Sequence, residues 1–158
     1  MKSIKFERKG DLMNWDKYFL KICKEISSKS PCLSRQIGAI IVRENSIVST
    51  GYNGPARGFP HCTGECPRRL LGYSSGEGLE YCPATHAEAN CIANAARLGV
   101  SVRHASLYMS TQCPCKNCMG LIVNAGITEV IVTDLTPYHR MSLDIAQYGR
   151  VRIRRFEE

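Results

Sequence analysis

Trp15, Tyr18, Phe19, Ile22, Cys23 and Ile26 recur at spacings of three and four, which predicts an amphipathic helix over residues 15–26. The polar run SSKSPC ends it, and Cys23, on the apolar stripe, reads as a core thiol. The period then changes. Residues 37–42 and 47–52 are β-rich runs joined through Arg43-Glu44-Asn45-Ser46, the pattern of a hairpin. Gly54-Pro55 halts the second run and opens an irregular stretch, residues 56–83, rich in Gly, Pro, Cys and Arg. So long a loop inside a compact domain is uncommon and is usually functional or disordered. Its cysteines suggest that metal holds it in place. Beyond it, a helix is expected over 85–98, with Ala89, Ile92, Ala93 and Ala96 on one face and Gly99 as its stop. A strand over 106–110 follows, then a helix opened by Pro114 and running to residue 124, and a buried strand over 129–133. A helix over 142–148 and a strand over 150–156 complete the chain. After the first helix the order is β-β-α-β-α-β-α-β, which calls for a mixed α/β sheet covered by helices on both faces. Residues 1–12 read as a polar lead-in, and 13–158 as a single domain carrying 56–83 as an insertion.

Composition narrows the picture a little. With 158 residues, 44% hydrophobic and 22% charged, the chain is that of an ordinary globular domain. It holds no apolar run of about 18 residues, so no membrane span is expected. The charged start MKSIKFERKGDL lacks the apolar core of a signal peptide, and a cytoplasmic location is expected. Nine cysteines, an odd number, fit metal ligands and buried thiols in a reducing compartment better than a disulfide framework. The net charge of +7 is thinly spread and fits an anionic substrate such as a nucleotide. No aromatic-interleaved basic groove is visible, so a nucleic-acid partner is not expected.

The chemistry concentrates in two short motifs, His86-Ala87-Glu88 and Pro114-Cys115-x-x-Cys118. His86, Cys115 and Cys118 are three soft ligands for one zinc ion, and three protein ligands leave the fourth tetrahedral position open, as in catalytic sites. Cys115 and Cys118, three apart on a helix opened by Pro114, are expected on one face in its first turn, where the helix dipole favours thiolates. In a regular helix His86 and Glu88 would point about 200° apart, so His86 is expected at the very start of its helix, with Glu88 reaching over the end. A dipositive ion with two thiolates and a neutral imidazole is formally neutral, leaving a bound hydroxide usable as a nucleophile. Glu88 can take the proton of that water and pass it to a leaving amine. The pattern points to a zinc hydrolase acting on an amidine-like C–NH2 bond. A purely structural Cys2His knuckle would leave both the missing fourth ligand and the HxE spacing unexplained.

Cys32, Cys62, Cys66 and Cys82 lie in or beside irregular segments, and Cys62-x-x-x-Cys66 has ligand-like spacing. Together they would make a closed four-thiolate structural zinc site, with His61 able to replace one thiol and Arg68 or Arg69 able to offset its charge. Cys91 reads as core.

H-x-E with P-C-x-x-C is the zinc deaminase signature. The chain resembles the cytidine/deoxycytidylate deaminase superfamily, and within it the deoxycytidylate (dCMP) deaminases of bacteria and phages. The resemblance spans residues 15–156 and rests on SPCLSRQIGAIIV, STGYNGPARGFPHC, HAEANCI, PCKNC with the following AGI, and VIVTD. The HxE and PCxxC motifs alone would also admit tRNA adenosine, guanine and riboflavin-pathway deaminases. The GYNGP turn and the Cys-rich loop are the more specific marks. What the resemblance implies is a three-layer α/β/α fold with a mixed, mostly parallel five-stranded sheet, and zinc-dependent hydrolysis of dCMP to dUMP and ammonia. It implies that Asn53 bonds the sugar 3′-hydroxyl. Arg35 and the Tyr138-His139-Arg140 cluster match its phosphate-binding positions, with His139 inserted where the family often has Tyr-Arg directly. It further implies a homo-oligomer, often a hexamer, activated by dCTP and inhibited by dTTP, and in some members a second zinc. A polynucleotide deaminase and a zinc-stabilised binding module are the competing readings.

Overall fold

The computed structural model describes residues 14–74 and 76–156; the lead-in expected over 1–12 lies outside them. Helix α1 (Trp15–Ser27) starts where the Asn14 side chain accepts the Asp16 backbone N–H at 2.7 Å, an N-cap that satisfies one orphan donor. Strands β1 (Gly38–Arg43) and β2 (Ser46–Tyr52) are joined by two residues and not four. Glu44 and Asn45 sit at φ of 51° and 58°, the left-handed pair whose twist matches the flanking strands. Then come β3 (Gly54–Pro55), the short α2 (Pro67–Leu70), a single 3₁₀ turn (Leu79–Tyr81) and β4 (Ala84–Thr85). Helix α3 (Ala87–Arg97), β5 (Ser106–Met109), α4 (Lys116–Asn124), β6 (Glu129–Val132), α5 (Arg140–Tyr148) and β7 (Arg152–Arg155) complete the order.

Five strands form one sheet in the order β2-β1-β5-β6-β7. Because β1 runs antiparallel to both β2 and β5 while β5, β6 and β7 are parallel, β1 alone opposes the other four strands of that sheet. The sheet is mixed, and its ladders divide evenly between the two kinds. Period-two alternation sends side chains to two separate cores. Ala39, Ile41, Leu107, Met109, Val130 and Val132 face one side and pack with residues of α3, α4 and α5. Ile40, Val42, Tyr108 and Ile131 face the other and pack on Phe19 and Cys23 of α1. Three layers result. Central strands covered on both faces explain why β1 reads as an unbroken apolar run.

An ion-pair network ties α1 to the far edge of the sheet. The Arg154 guanidinium contacts both oxygens of Asp16, and its Nε donates to Glu129 at 3.0 Å. The Tyr108 hydroxyl donates to Asp16 at 3.0 Å.

The insertion over 56–83 is not structureless. A two-residue ladder, Gly54 with Thr85 and Pro55 with Ala84, closes its base, so the Gly-Pro expected only to halt β2 is itself a strand. That ladder brings the chain directly into His86. The last helix also begins earlier than expected, at Arg140, and the last strand is shorter. Among the described residues no helix is long and apolar enough to cross a membrane.

Candidate active site

Two helix starts meet at the C-terminal end of β5. His86 is the N-cap of α3, extended at φ −67° and ψ 154°, and Cys115 is the N-cap of α4 at φ −68° and ψ 167°. Cys118 is the third residue of α4. Cys115 is therefore not a first-turn helical residue, and Pro114 precedes the cap and does not open the helix. The two thiols converge because an extended cap turns its side chain over the helix end, not because of i,i+3 helical spacing. Nδ1 of His86 lies 3.5 Å from Sγ of both Cys115 and Cys118. All three donor atoms fall within 4.8 Å of one another.

These donors fit zinc. Bonds of about 2.3 Å to sulfur and about 2.0–2.1 Å to nitrogen at a tetrahedral angle put N and S about 3.5 Å apart, the separation found here. The donor set is soft and leaves one corner of a tetrahedron without a protein ligand among the described residues. Glu88, the second residue of α3, is buried beside it at 4% exposure.

Burial pushes the Glu88 carboxyl above its usual range, only partly offset by backbone hydrogen bonding and by the charge of His86. A carboxyl so placed holds a proton more readily than one in water. The hydrogen bond from Cys118 pushes the Cys115 thiol well below its usual range, with His86 adding to the effect, while the same contact pushes Cys118 up. The bond to Cys115 raises the His86 imidazole against the opposing effect of burial. A cation binding at this cluster would displace the protons its donors carry.

The cluster sits in a cavity of about 390 Å³, the size of a small-ligand site. Arg35, Asn53 and Tyr138 line it with His86, Glu88 and Cys115. Asn53 is buried, and its Oδ1 accepts from Ser30 Oγ and the Ile37 backbone N–H, each at 2.8 Å. Its Nδ2 donates to the Arg35 carbonyl at 2.7 Å, which leaves one N–H for a ligand. Arg35 crosses the mouth with Nη2 donating to Thr111 Oγ1 at 2.8 Å. His139 and Arg140 are not among the lining residues. His139 is the N-cap of α5, edge-on to the Tyr138 ring, and Arg140 points outward with Nε 3.8 Å from Asp144 one helical turn on.

Sequence reasoning missed part of the wall. Arg68, Gly76 and Leu79 of the insertion line the cavity, as do Thr111 and Gln112 after β5. No periodicity marks them, because irregular backbone places them. The one available signal was the unusual length of the insertion. Cys32, Cys62, Cys66 and Cys82 line one small neighbouring pocket. Burial and then the Cys66, Cys82 and Cys32 thiols push Cys62 up, so the four influence one another. Among the described residues, however, the triad of His86, Cys115 and Cys118 is the one group of three potential ligands drawn to within 4.8 Å.

The chain matches the family of the cytidine and deoxycytidylate deaminase zinc-binding region over residues 13–134. It is 34% identical to a deoxycytidylate deaminase of Schizosaccharomyces pombe over 94% of this chain, and spans about half of that protein's length, 48%. It is 38% identical to a deoxycytidylate deaminase of Mycobacterium phage D29, covering 75% of this chain and 93% of the phage protein. Among solved structures, the dCMP deaminase of cyanophage S-TIM5 in complex with dCMP and dUMP superposes with a TM-score of 0.71 at 26% identity. That match covers 87% of this chain and 93% of the phage chain.

Proposed function

The chain belongs to the cytidine and deoxycytidylate deaminase family, and from that premise we propose that it hydrolyses dCMP to dUMP and ammonia. The observation that carries this reading is Glu88, buried against a His86, Cys115 and Cys118 cluster of zinc-like spacing at the floor of a nucleotide-sized cavity. A zinc ion held by these three residues would supply the Lewis acidity that makes a water nucleophilic near neutral pH. Glu88 takes a proton from that water as its oxygen bonds to the amine-bearing C4 of the cytosine ring, and delivers it to ring N3, which receives the electron pair of the opening C4=N3 bond. The same carboxyl then carries the second proton of that oxygen to the departing nitrogen as the C–N bond breaks and the C4=O bond forms, releasing ammonia. No oxidant or reductant is needed, and burial of Glu88 keeps its proton from exchanging freely with solvent. Asn53, with one N–H uncommitted, meets a sugar hydroxyl, and Arg35 and Tyr138 stand where they can meet the nucleotide's phosphate and ring. Arg140 and His139 serve the phosphate only if the segment ahead of α5 turns inward.

The similarity to a phage enzyme in complex with dCMP and dUMP supports the choice of substrate. A second, structural zinc on Cys32, Cys62, Cys66 and Cys82 would bind the insertion to the exit of α1. Drawing the four thiols together would complete a closed site. Homo-oligomerisation as a hexamer, with dCTP and dTTP as effectors, belongs to the same reading, as does a cytoplasmic location. The test is ammonia release from dCMP, deoxycytidine and dCTP by purified protein with its zinc counted. Silence on all three substrates sinks the reaction. Two zinc ions per chain, falling to one in Cys66→Ser, would support the second site, and one ion in both proteins would remove it.

A further inference from the structure

Among the described residues, one buried side-chain nitrogen or oxygen lacks any hydrogen-bond partner, and it is Nε of Arg68. Arg68 is 9% exposed and lines the cavity that holds His86 and Glu88. Its guanidinium is held in place. Nη2 donates to the Ser74 carbonyl at 2.9 Å, and its own carbonyl accepts the Tyr73 N–H at 3.0 Å. No carboxylate of the described residues comes within 4.0 Å of it. An arginine is always charged, and a buried N–H without an acceptor carries a desolvation penalty that a ligand oxygen would remove. Arg35 and Tyr138 line the same cavity. A Cβ built on Gly76 would lie 3.3 Å from the Tyr138 hydroxyl, so the insertion closes against the same residue.

We propose that Arg68 is a specificity-determining residue of this site. Its anchored guanidinium, with Nε unpaired, receives the 5′-phosphate of the substrate together with Arg35, so that the insertion selects nucleotide over nucleoside. The choice of a nucleotide phosphate as the anion rests on the deaminase reading above. The anion site itself rests on Arg68. A planar guanidinium offers phosphate parallel N–H donors, a geometry that a lysine ammonium cannot reproduce.

The experiment compares kcat/KM for dCMP with kcat/KM for deoxycytidine in the wild type, Arg68→Gln and Arg68→Lys, each loaded with zinc. Loss of a charge-assisted contact is expected to lower the dCMP-to-deoxycytidine ratio by roughly tenfold to a hundredfold in Arg68→Gln, mostly through KM for dCMP. Arg68→Lys is expected to recover only part of it. An unchanged ratio in either folded variant, or an equal loss on both substrates with a lower zinc count, overturns the assignment. The latter pattern belongs to an arginine that merely balances the neighbouring thiolates. Calorimetric titration with inorganic phosphate needs no turnover and keeps the two failures apart. Phosphate bound by the wild type and lost in Arg68→Gln, with no deamination of dCMP, sinks the reaction and leaves the anion site standing. Deamination of dCMP with an unaffected ratio does the reverse.

Discussion

Replacing Gly51 by alanine would set a methyl group against the backbone of α3. Built at that position, a Cβ stands 2.5 Å from the Cys91 amide nitrogen and 2.6 Å from the Ala87 carbonyl oxygen. Ordinary contact begins at 3.4 Å, so β2 and α3 must part by about 0.9 Å. Backbone atoms cannot swing aside as a side-chain tip can, and overpacking of this kind typically costs about 1–3 kcal/mol. For a chain of this size that is a fall in Tm of roughly 2–4 °C per kcal/mol. The same movement carries His86 and Glu88, at the start of α3, away from Cys115 and Cys118, which belong to α4. Displacement of reacting groups by about 1 Å can cost on the order of a hundredfold in rate. Gly38→Ala supplies the control, because its Cβ would lie 2.1 Å from the Cys23 carbonyl of α1, on the opposite face of the sheet. Thermal unfolding should show both variants destabilised. Zinc content and kcat on dCMP should fall in Gly51→Ala by at least tenfold more than in Gly38→Ala. A Gly51→Ala protein with wild-type Tm would refute the packing argument. One that is destabilised but no slower than Gly38→Ala would refute the claim that β2 positions the site through α3.

Glu88→Gln keeps shape and burial while removing the titrating oxygen, so zinc content should be retained while kcat falls about 10²–10⁴-fold; near-normal turnover would remove Glu88 from proton transfer. Asp16→Ala strips the Arg154 guanidinium and the Tyr108 hydroxyl of a partly buried partner, and a loss of about 2–4 kcal/mol in urea unfolding is expected, with little change in kcat. Burial raises Cys23 and Cys91 to about 12 from an ordinary 9.0. The unfolded chain therefore loses these protons first as pH rises. Stability should be level in this respect below pH 9 and fall between pH 9 and about 12, with a slope of about 1.4 kcal/mol per pH unit for each thiol. Cys23→Ala should reduce that slope, and identical alkaline melts for the variant and the wild type would count against the burial of this thiol.

Local pattern was enough to place most elements, because β-branched runs and the 3.6-residue period of α1 and α3 are properties of neighbouring residues. The chemistry was legible for the same reason. His86 and Glu88, and Cys115 and Cys118, are close in sequence, and the residue types themselves are scarce enough to be informative. Their encounter is another matter. His86 and Cys115 come within 3.5 Å because parallel packing of β5 and β6 and the covering of one face by α3 and α4 bring two helix caps together, which no local spacing encodes. The expectation for Pro114 erred there: the sequence reads as a first turn, while the chain uses Cys115 as an extended cap. Tertiary structure alone also decided the pocket wall. Tyr138 turns inward while His139 and Arg140, its immediate neighbours, face out at the start of α5. Arg68, one of three arginines between positions 56 and 70, is buried because the insertion folds back on itself over the cavity. Residue identity and short-range period are written along the chain, whereas which charge loses its water depends on what folds over it.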